Sequence, residues 1–599
     1  MTETGDILGR WEGAWASALS VWSRYTRLRP PIFCRSAEEA EREGLTGSFA
    51  MIRLNDQAIV VSLAEMVRCG VEAYPREVLA HEIGHHVYAP ATLTDHGRTL
   101  ARIRWALPTL EAQAPMVANL YTDLLINDRL QRSAELRMAD VYRQLGKDAK
   151  PAGKVWALYM RIYELLWRLE RGSLGGGGLE DAMEGDAWLG SRLVRSFARD
   201  WIDGAGRFAA LLLPYLLEDR GSESRLGKWL DTRHAGIGGM PDGLIVEEEG
   251  ERSGALHPAQ DPAITGDESV RRSESKGGPR ELPDGAVHRP SPGQCREPFQ
   301  YGELLRALGI SLTDHQAAIR YYRERSLPHL VPFPTRRSPD RLDPLPEGLE
   351  PWEIGHALDE IDWMQTVLQS PRVIPGLTTV QRVWGSSPGA EPRLRPVDLD
   401  LYVDSSGSMP NPQRLTSYLT LAGAIIALSA LRAGARVQAT LWSGARQFTC
   451  TDGFTRDERA VLGVLTGFFG GGTAFPIHVL RDTFAQRPAS ANPVHILVIS
   501  DDGVTTLFEN DERGTSGWTI AADALASARG GGSLVLNLDP QWREHTAQSK
   551  VYADLARAQE QGWSISAVRS WGELEQFARD FSRRTYATNN TPREGEPRV

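Results

Sequence analysis

Residues 75–89 read PREVLAHEIGHHVYA and place two histidines four residues apart, with a glutamate directly after the first. The run beginning at His81 is the H-E-x-x-H arrangement. On a helix, residues i and i+4 lie one above the other, so His81 and His85 can present two imidazole nitrogens to one Zn²⁺. Glu82 would lie beside the ion and deprotonate a bound water. The spacing therefore predicts a zinc hydrolase with Glu82 as its catalytic residue.

A catalytic zinc needs a third protein ligand and one open position. In NLYTDLLIND, Asn119, Asp123 and Asn127 recur every four residues and form one polar stripe on an otherwise apolar helix. A buried polar stripe requires partners, and Asp123 is its only ionisable member. We therefore expect Asp123 to complete the zinc shell. The alternatives for this ligand are Asp95, His96 and His86.

A second group of candidate ligands follows the apolar run VDLDLYVD. Asp404, Ser406 and Ser408 occupy alternate positions and supply one carboxylate and two hydroxyls. Hard oxygen ligands of this kind suit Mg²⁺ or another hard divalent cation, which typically keeps several waters. The sequence therefore predicts a second metal site, with an open coordination position that a partner's carboxylate could occupy.

Two later loops contribute to this second site. GGGTAF places Thr473 in a glycine-rich loop, and VHILVIS is followed by two consecutive aspartates. Either Asp501 or Asp502 could be the last member of the set. Asp501 is favoured because it directly follows the predicted strand.

The first histidine motif needs a helix and neighbouring elements to hold it. Pro75 suits the first position of a helix over 75–89, and 48–62 predicts two short strands around a turn. An amphipathic helix is expected at 10–28, and helices dominate the chain to about residue 232. The N-terminal part is therefore expected to be mainly α-helical.

The second site needs a sheet. From Val397 onward, short apolar strands alternate with helical segments. This alternation predicts a doubly wound α/β domain with a parallel sheet, whose ligand site lies at the carboxyl ends of the strands. Asp404, Thr473 and Asp501 should therefore lie in neighbouring loops.

The D-x-S-x-S run, the loop threonine and the aspartate after a strand resemble the metal-ion-dependent adhesion site of von Willebrand factor A domains. The resemblance covers residues 395–585. It implies a Rossmann-like α/β domain that recognises a protein partner through a divalent cation and performs no chemistry of its own.

The order of strand, histidine-bearing helix and third-ligand helix over residues 45–135 resembles a zincin metallopeptidase. The chain lacks the extended metzincin motif, and Asn119-x-x-x-Asp123 lacks the glutamate of the thermolysin-type N-E-x-x-x-D run. The whole chain resembles bacterial proteins that pair a metallopeptidase domain with a C-terminal von Willebrand A domain. That resemblance implies association with AAA+ ATPases of the MoxR type.

Composition excludes several other functions. The 77 acidic and 67 basic residues give a net charge of -10, without a basic stripe for nucleic acid. Four widely separated cysteines indicate neither a disulfide framework nor a thiolate zinc site. The first thirty residues do not resemble a signal peptide, and apolar runs are too short for a membrane helix. We therefore expect a cytoplasmic protein that contacts neither nucleic acid nor membrane.

These observations predict a multidomain chain and two alternative functions. The expected parts are a zincin-like domain at 1–232, a disordered linker at 233–299, a helical connector at 300–394 with a helix at 351–369, a von Willebrand A domain at 395–585 and a disordered tail at 586–599. The first hypothesis is a zinc-dependent metallopeptidase whose A domain binds a partner or substrate. The second is a noncatalytic adaptor of a MoxR-type ATPase with a structural zinc.

Overall fold

The chain is multidomain and divides into two compact units. A computed structural model describes residues 3–23, 25–46, 48–147, 153–175, 180–219, 232–233, 239–266, 295–332, 335–338, 342–388, 393–574, 576–577 and 580–581. The first unit comprises residues 1–324 with 413–415, and the second comprises 325–412 with 416–599. The expected tail at 586–599 lies outside these ranges. No helix in the described ranges combines the length and apolar character needed to cross a membrane.

The first unit is mainly helical, as predicted. Its helices are α1 Glu3–Trp22, α2 Ala37–Arg42, α3 Leu63–Arg68, α4 Pro75–Val87, α5 Leu93–Ala106, α6 Ala114–Ser133, α7 Met138–Gly146, α8 Lys154–Trp167, α9 Glu184–Ser196, α10 Trp201–Glu218, α11 Glu249–Ser253, α12 Pro262–Thr265, α13 Pro298–Ala307 and α14 Asp314–Ser326, which ends at the boundary with the second unit. The helix expected at 10–28 begins earlier and ends at Trp22.

A small sheet accompanies these helices. Its strands are β1 Ile32–Cys34, β2 Ala50–Arg53, β3 Ala58–Ser62 and β4 Thr232–Arg233, in the order β1-β3-β2-β4. Strands β2 and β3 are antiparallel, which confirms the strand pair predicted within 48–62. Helix α4 packs against β2 as well as against α1 and α6, so the sheet supports the histidine-bearing helix.

Helix α4 begins at Pro75, where a missing N–H costs nothing, and carries Glu77 in its first turn. Every residue from Glu77 to His85 is buried. A helix buried on all sides lacks the polar face of a surface helix. Gly84 makes this burial feasible, because a Cβ at that position would lie 2.6 Å from Cγ2 of Ile126 and 2.7 Å from Cζ2 of Trp22. The glycine therefore allows α4 to approach α6 and α1 closely.

The expected disordered linker at 233–299 is wrong for residues 239–266 and 295–299. This stretch contains α11, α12 and the start of α13, and it buries Leu244 and Ile264. Its anchor is a buried ion pair, in which the guanidinium of Arg296 contacts both carboxylate oxygens of Glu251 and donates to the carbonyl of Leu244 at 2.9 Å. The amino-acid composition of this stretch indicated disorder because few of its residues are apolar. Composition does not reveal that Glu251 and Arg296 form a buried ion pair. Residues 267–294 lie outside the described ranges.

The second unit contains a six-stranded sheet. Its strands are β9 Asp398–Asp404, β10 Val437–Trp442, β11 Phe448–Cys450, β12 Val494–Ser500, β13 Arg529–Leu536 and β14 Trp563–Ala567, in the order β11-β10-β9-β12-β13-β14. Neighbouring strands are parallel except β10 and β11, which are antiparallel, so the sheet is mixed where a parallel one was predicted. From β9 the chain continues to β10 and β11 on one side of β9, and it then crosses to form β12 on the other side of β9. This reversal is a topological switch point, the usual ligand position in open α/β sheets.

Helices accompany this sheet, and buried apolar side chains fill both of its faces. They are α16 Tyr418–Arg432, α17 Glu458–Leu465, α18 Ile477–Phe484, α19 Gly517–Ala528 and α20 Lys550–Glu560, while the earlier helix α15 Trp363–Gln369 precedes the first strand of this sheet in the chain. Helix α16 is buried along most of its length. The predicted α/β organisation of this part is therefore confirmed.

The expected helical connector at 300–394 is helical mainly in its first part. Beyond α14 it forms two antiparallel strand pairs, which are β5 Thr335–Ser338 with β8 Arg393–Pro396 and β6 Leu342–Pro351 with β7 Val380–Pro388. The helix expected at 351–369 is confined to α15. Pro344, Pro346 and Pro351 explain the extended backbone of β6, because proline cannot donate the helical hydrogen bond.

Candidate functional site

Helices α4 and α6 bring the first predicted ligand set together. The Nε2 atoms of His81 and His85 lie 3.2 Å apart. Oδ1 of Asp123 lies 3.8 Å from Nε2 of His81 and 3.4 Å from Nε2 of His85. All three side chains are buried. Within the part of the chain that the structure describes, they form a group that could hold a metal ion.

The outer nitrogens of both imidazoles contact hydrogen-bond acceptors. Nδ1 of His81 lies 2.7 Å from Oδ1 of Asn127, and Nδ1 of His85 lies 2.9 Å from the carbonyl oxygen of Ala89. A carbonyl oxygen can only accept, so each Nδ1 carries the proton and donates it. In a neutral imidazole the other nitrogen is then an acceptor. When both rings carry a single proton, their Nε2 lone pairs therefore lie close to each other and to Asp123.

The orientation of Asn127 follows from two tyrosines. Its Nδ2 donates to the hydroxyl of Tyr142 at 3.0 Å and to the hydroxyl of Tyr163 at 2.9 Å, which leaves Oδ1 facing His81. The Tyr163 hydroxyl also lies 3.0 Å from that of Tyr159. Burial raises the pKa of Tyr159 and Tyr163 well above the usual value. Both phenols therefore remain neutral at physiological pH and hold the amide in place.

Asn119 orients the carboxylate in a similar way. Its Nδ2 donates to Oδ2 of Asp123 at 3.1 Å, while Oδ1 of Asp123 is the oxygen nearest to both imidazoles. All three members of the predicted polar stripe on α6 therefore belong to this cluster, either directly or through a hydrogen bond. Asn119 orients the carboxylate, and Asn127 orients the imidazole of His81.

Two opposed lone pairs and a carboxylate in a buried space repel one another unless a cation or proton lies between them. A metal ion bonded at about 2.0–2.2 Å to nitrogen and oxygen ligands spaces those atoms roughly 3–3.5 Å apart. The separations of 3.2 and 3.4 Å fall in this interval, and 3.8 Å lies slightly outside it. The donor set, its polarity and its spacing therefore fit a metal ion.

Glu82 adjoins this group. Its side chain is only 1% exposed, and it lines a cavity of about 50 Å³ together with His81, Asp123 and Asn127. A water needs about 10–15 Å³ of such volume, so the cavity can hold a few water molecules. The remaining walls are mostly apolar and aromatic. They include Phe49, Val78, Leu120, Met138, Val141, Trp156 and Tyr159.

The three alternative candidates for the third ligand, Asp95, His96 and His86, lie outside the group formed by His81, His85 and Asp123. Asp95 accepts from Thr92 at 2.8 Å and pairs with Arg98 at 3.3 Å near the start of α5. His96 is buried on the same helix. The ring of His86 follows His85 on α4, and burial lowers its pKa. The group that could hold a metal ion in the described residues contains Asp123 rather than these three.

The second ligand set lies at the carboxyl ends of β9 and β12. The carboxylate of Asp404 accepts from the backbone N–H of Ser406 at 2.8 Å and from the hydroxyl of Ser500 at 2.6 Å. The hydroxyls of Ser406 and Ser408 lie 3.1 Å apart, and Ser408 donates to Oδ2 of Asp501 at 2.9 Å. Asp404, Ser406, Ser408 and Asp501 therefore form one connected oxygen cluster at the switch point.

Burial raises the pKa of Asp404, and hydrogen bonds from Ser500 and Ser406 partly offset that effect. The second aspartate of the pair, Asp502, begins a short 3₁₀ helix at 502–508. Its side chain lies outside the described residues. A contact with the cluster is therefore known for Asp501.

Thr473 is positioned through the backbone of its loop. The flanking residues Gly472 and Ala474 each bond to Ser443, which follows β10, at 3.0 and 2.8 Å. Gly471 accepts from the N–H of Gly407 at 2.8 Å, so the loop lies beside the D-x-S-x-S turn. The Thr473 side chain is half-buried. Hydrogen bonds join the other four predicted ligands directly. Thr473 is brought near them by the backbone of its glycine-rich loop.

Several positioning residues escaped prediction from sequence. Ser500 precedes Asp501 at the strand end and bonds to Asp404, so its place before the aspartate was an available signal. Tyr159 and Tyr163 lie one turn apart on α8. Tyr159 lines the cavity beside His81 and Asp123, and Tyr163 bonds to Asn127, so their spacing was an available signal. Tyr142 had no comparable signal, because the fold brings it to Asn127 from another helix. The Ala89 carbonyl lies only four residues after His85, but a backbone oxygen leaves no signal in the residue type.

No known protein family matches this chain, and no curated protein matches it. The two ligand clusters and the elements that hold them therefore carry the functional assignment. The cluster on α4 and α6 has the donor types of a metal site, and the cluster at β9 and β12 has the oxygen donors of a hard-cation site.

Proposed function

We propose that this chain is a zinc-dependent metallopeptidase whose C-terminal unit is a von Willebrand factor A domain that binds a partner through a divalent cation. The observation that carries the proposal is the 3.2 Å approach of two imidazole Nε2 atoms whose Nδ1 atoms both contact acceptors. Without a cation or a proton between them, two facing lone pairs at this distance in a buried site would repel each other.

Zinc is the ion that this donor set favours. Two imidazoles and one carboxylate form a three-ligand set, which is the usual number of protein ligands at a catalytic zinc. Tetrahedral coordination leaves a fourth position, and the cavity lined by Glu82 adjoins the ligands His81 and Asp123. A structural zinc would instead be closed by a fourth protein ligand.

A bound zinc would supply Lewis acidity and lower the pKa of a coordinated water. Glu82 would act as the general base, since it lines the same cavity and is held in mostly apolar surroundings. Asn127 and the Ala89 carbonyl hold the imidazoles in the tautomer that presents Nε2. Asn119 turns one oxygen of Asp123 toward both histidines. These residues fix the geometry before substrate arrives.

One observation favours the second hypothesis, a noncatalytic adaptor with a structural zinc. The cavity of about 50 Å³ is far smaller than the 300–1,000 Å³ of a typical ligand pocket. A peptide could reach Glu82 only if part of the mostly apolar wall of this cavity moved. In the adaptor hypothesis the ion would serve to join α4 to α6.

The C-terminal cluster supports the partner-binding part of the proposal. Asp404, Ser406, Ser408 and Asp501 present carboxylate and hydroxyl oxygens, which suit Mg²⁺. Thr473 lies in the adjoining loop and completes the proposed site. Few anionic ligands leave the ion electrophilic enough to attract a carboxylate from a partner. The resemblance to von Willebrand A domains makes a MoxR-type AAA+ ATPase the first partner to test.

The test combines zinc content with hydrolysis. Elemental analysis of the full chain should find about one zinc, which is lost in His85→Ala and retained in the matched control His86→Ala. Glu82→Gln should keep the zinc and the fold, because the amide conserves the size of the side chain but cannot take the proton. Hydrolysis of fluorescein-labelled casein should be abolished in Glu82→Gln.

The outcomes separate the hypotheses. Zinc lost in His85→Ala together with equal, chelator-insensitive turnover in wild type and Glu82→Gln would assign the chemistry elsewhere. Zinc retained without turnover in the wild type would support the adaptor. Unchanged zinc in His85→Ala would remove the metal site from both hypotheses.

A further inference from the structure

A segment of the second unit exposes an unusual amount of apolar surface. We name residues 344–387 the hairpin arm, which comprises most of β6 and β7 and the loop with α15 between them. Half of the large hydrophobic side chains that are exposed in the described residues belong to it. They are Leu345, Leu349, Ile354, Leu358, Trp363, Met364, Val367, Leu368, Val373, Ile374, Leu377 and Trp384. Exposed apolar side chains concentrated in one segment in this way indicate an interaction site.

The arm is nevertheless held together by its own contacts. Trp352 is buried, and its N–H groups donate to the carbonyls of Thr379 and Ala357 at 2.8 and 3.1 Å. Thr366 on α15 is buried, and its hydroxyl accepts from the N–H of Val380 at 3.1 Å. These contacts fix one side of α15 against β7. The apolar side chains are therefore displayed on an ordered scaffold.

Helix α15 exposes four apolar side chains, and Met364 and Leu368 lie on the side opposite the buried Thr366. Met364 and Leu368 are four residues apart and are 71% and 72% exposed, and Trp363 and Val367 form a second such pair at 53% and 56%. Residues four apart on a helix are neighbours. Together they form a stripe of the kind that inserts into a complementary apolar surface.

The arm is also strongly acidic. Residues 344–387 contain six carboxylates and two arginines, a net charge of -4 within a chain of -10. Asp359 and Glu360 line an open cleft of about 600 Å³ with Trp363, Gln381 and Trp384. Arg382 in this cleft pairs with Asp362. Carboxylates beside two indole rings suit a Lys or Arg side chain, which bonds to the carboxylates and stacks on the rings.

The charge of the arm and the prolines of β6 indicate which kind of molecule binds this surface. A second copy would bring two arms of -4 together, and like charges across an interface are unfavourable. Anionic lipid surfaces and nucleic acids would be repelled for the same reason. Addition of a strand to the outer edge of β6 is disfavoured, because Pro344, Pro346 and Pro351 have no N–H to donate. A partner with basic side chains around an apolar surface fits both features.

We propose that the hairpin arm is a docking site for an amphipathic, basic segment of a partner protein. The apolar side of that segment packs on Met364, Val367 and Leu368, and one of its Lys or Arg side chains enters the cleft beside Asp359 and Glu360. This surface shares no residue with either candidate metal cluster, so we expect docking to require neither zinc nor Mg²⁺.

The test uses the full chain and a fluorescent 18-residue peptide of leucine and lysine, arranged as an amphipathic helix, followed by anisotropy. Met364→Ser with Leu368→Ser should weaken binding at least tenfold and leave far-UV circular dichroism unchanged, because both positions are exposed. The matched control, Val67→Ser with Leu217→Ser, replaces two exposed apolar residues outside the arm and should bind as the wild type does. Asp359→Asn with Glu360→Gln should weaken binding and flatten its dependence on salt. EDTA should have no effect.

Several results would overturn the proposal. Equal binding by the Met364/Leu368 double variant would show that the stripe is not used, and equal binding of a leucine/glutamate peptide would remove the role of charge. A dimer in sedimentation velocity that the double variant dissociates would assign the arm to a second copy. Flotation with phosphatidylserine vesicles that the same variant abolishes would assign it to a membrane.

Discussion

The amide oxygen of Asn127 lies 2.7 Å from Nδ1 of His81, and the amide nitrogen of the same side chain donates to Tyr142 and Tyr163. Two buried tyrosines therefore hold the Asn127 amide on α6, and this amide orients the imidazole of His81 on α4. Partners of this kind fix the tautomer of a metal-binding histidine and raise its basicity.

Asn127→Ala should weaken zinc binding about 10–100-fold, because His81 loses the acceptor that holds its Nδ1 proton. Asn127→Asp is the matched rescue variant, since its carboxylate can still accept from His81. Zinc affinity is measured by competition with a chromophoric chelator on the refilled full chain. Equal affinities for wild type and Asn127→Ala would mean that the histidine is oriented by other contacts.

Gly84→Ala should destabilise the first unit by about 1–3 kcal/mol, because the added Cβ forces apart tightly packed groups. That Cβ would lie 2.6 Å from Ile126 and 2.7 Å from Trp22. The displaced helix should also bind zinc more weakly. Gly13→Ala on the exposed side of α1 is the control, since a Cβ there meets nothing within 4 Å.

Gly13→Ala should instead stabilise its helix by up to about 1 kcal/mol. Urea unfolding monitored by circular dichroism, together with a zinc titration, checks both variants. Similar stability changes for the two glycine variants would contradict the packing role assigned to Gly84.

The local parts of the fold could be predicted from sequence. The helix at α4, the strand pair β2–β3 and the order of strands and helices from β9 onward follow from short-range periodicity and from Pro75. The spacing of four along α6 also indicated Asp123, because a polar stripe on an apolar helix must meet polar partners. These signals lie within one helix or one strand, so they require no knowledge of the fold.

The remainder depends on contacts that are distant in sequence. Asn127 meets Tyr163 across 36 residues, and neither residue indicates the other. The helix expected at 351–369 begins only at Trp363, because the N–H groups of Trp352 and Asp362 donate instead to the distant carbonyls of Thr379 and Val380. Residues 239–266 are ordered partly through Glu251 and Arg296, whose charges indicated a solvated linker. In each case a tertiary contact outweighs the local pattern.

Asp501→Ala should weaken Mn²⁺ binding at the C-terminal cluster more than Asp502→Ala does. Asp501 accepts from Ser408, whose hydroxyl also lies beside Ser406, so it belongs to the same ring of oxygens. Asp404→Ala should abolish binding, because it removes the carboxylate at the end of β9. Electron paramagnetic resonance of free Mn²⁺ measures all three, with the zinc site filled beforehand. A larger loss in Asp502→Ala would reverse the assignment.

The stability of β9 should depend on pH through Asp400. This carboxyl is fully buried, and burial raises its pKa to about 7 despite hydrogen bonds from Tyr402 and Gln438 and the nearby positive charge of Arg487. In the unfolded chain an aspartate titrates near ~3.9. Between these values the folded state retains a proton that the unfolded state releases. The free energy of unfolding therefore falls as pH rises from about 4 to about 7 and is level above that.

The size of this term is on the order of 3–4 kcal/mol, since each unit of pKa difference corresponds to about 1.4 kcal/mol. Asp400→Asn removes the titration and keeps the size of the side chain, so its stability relative to wild type should rise by about 2–3 kcal/mol between pH 5.0 and pH 7.5, the part of the term that falls in this interval. Thr440→Val, on the neighbouring strand, has no titrating group and should change stability equally at both values. Samples are equilibrated in urea at each pH and then pulse-labelled by hydrogen exchange at one fixed pH, and peptides from β9 and β10 are compared. A difference between wild type and Asp400→Asn that is the same at both pH values would show that Asp400 does not control this dependence.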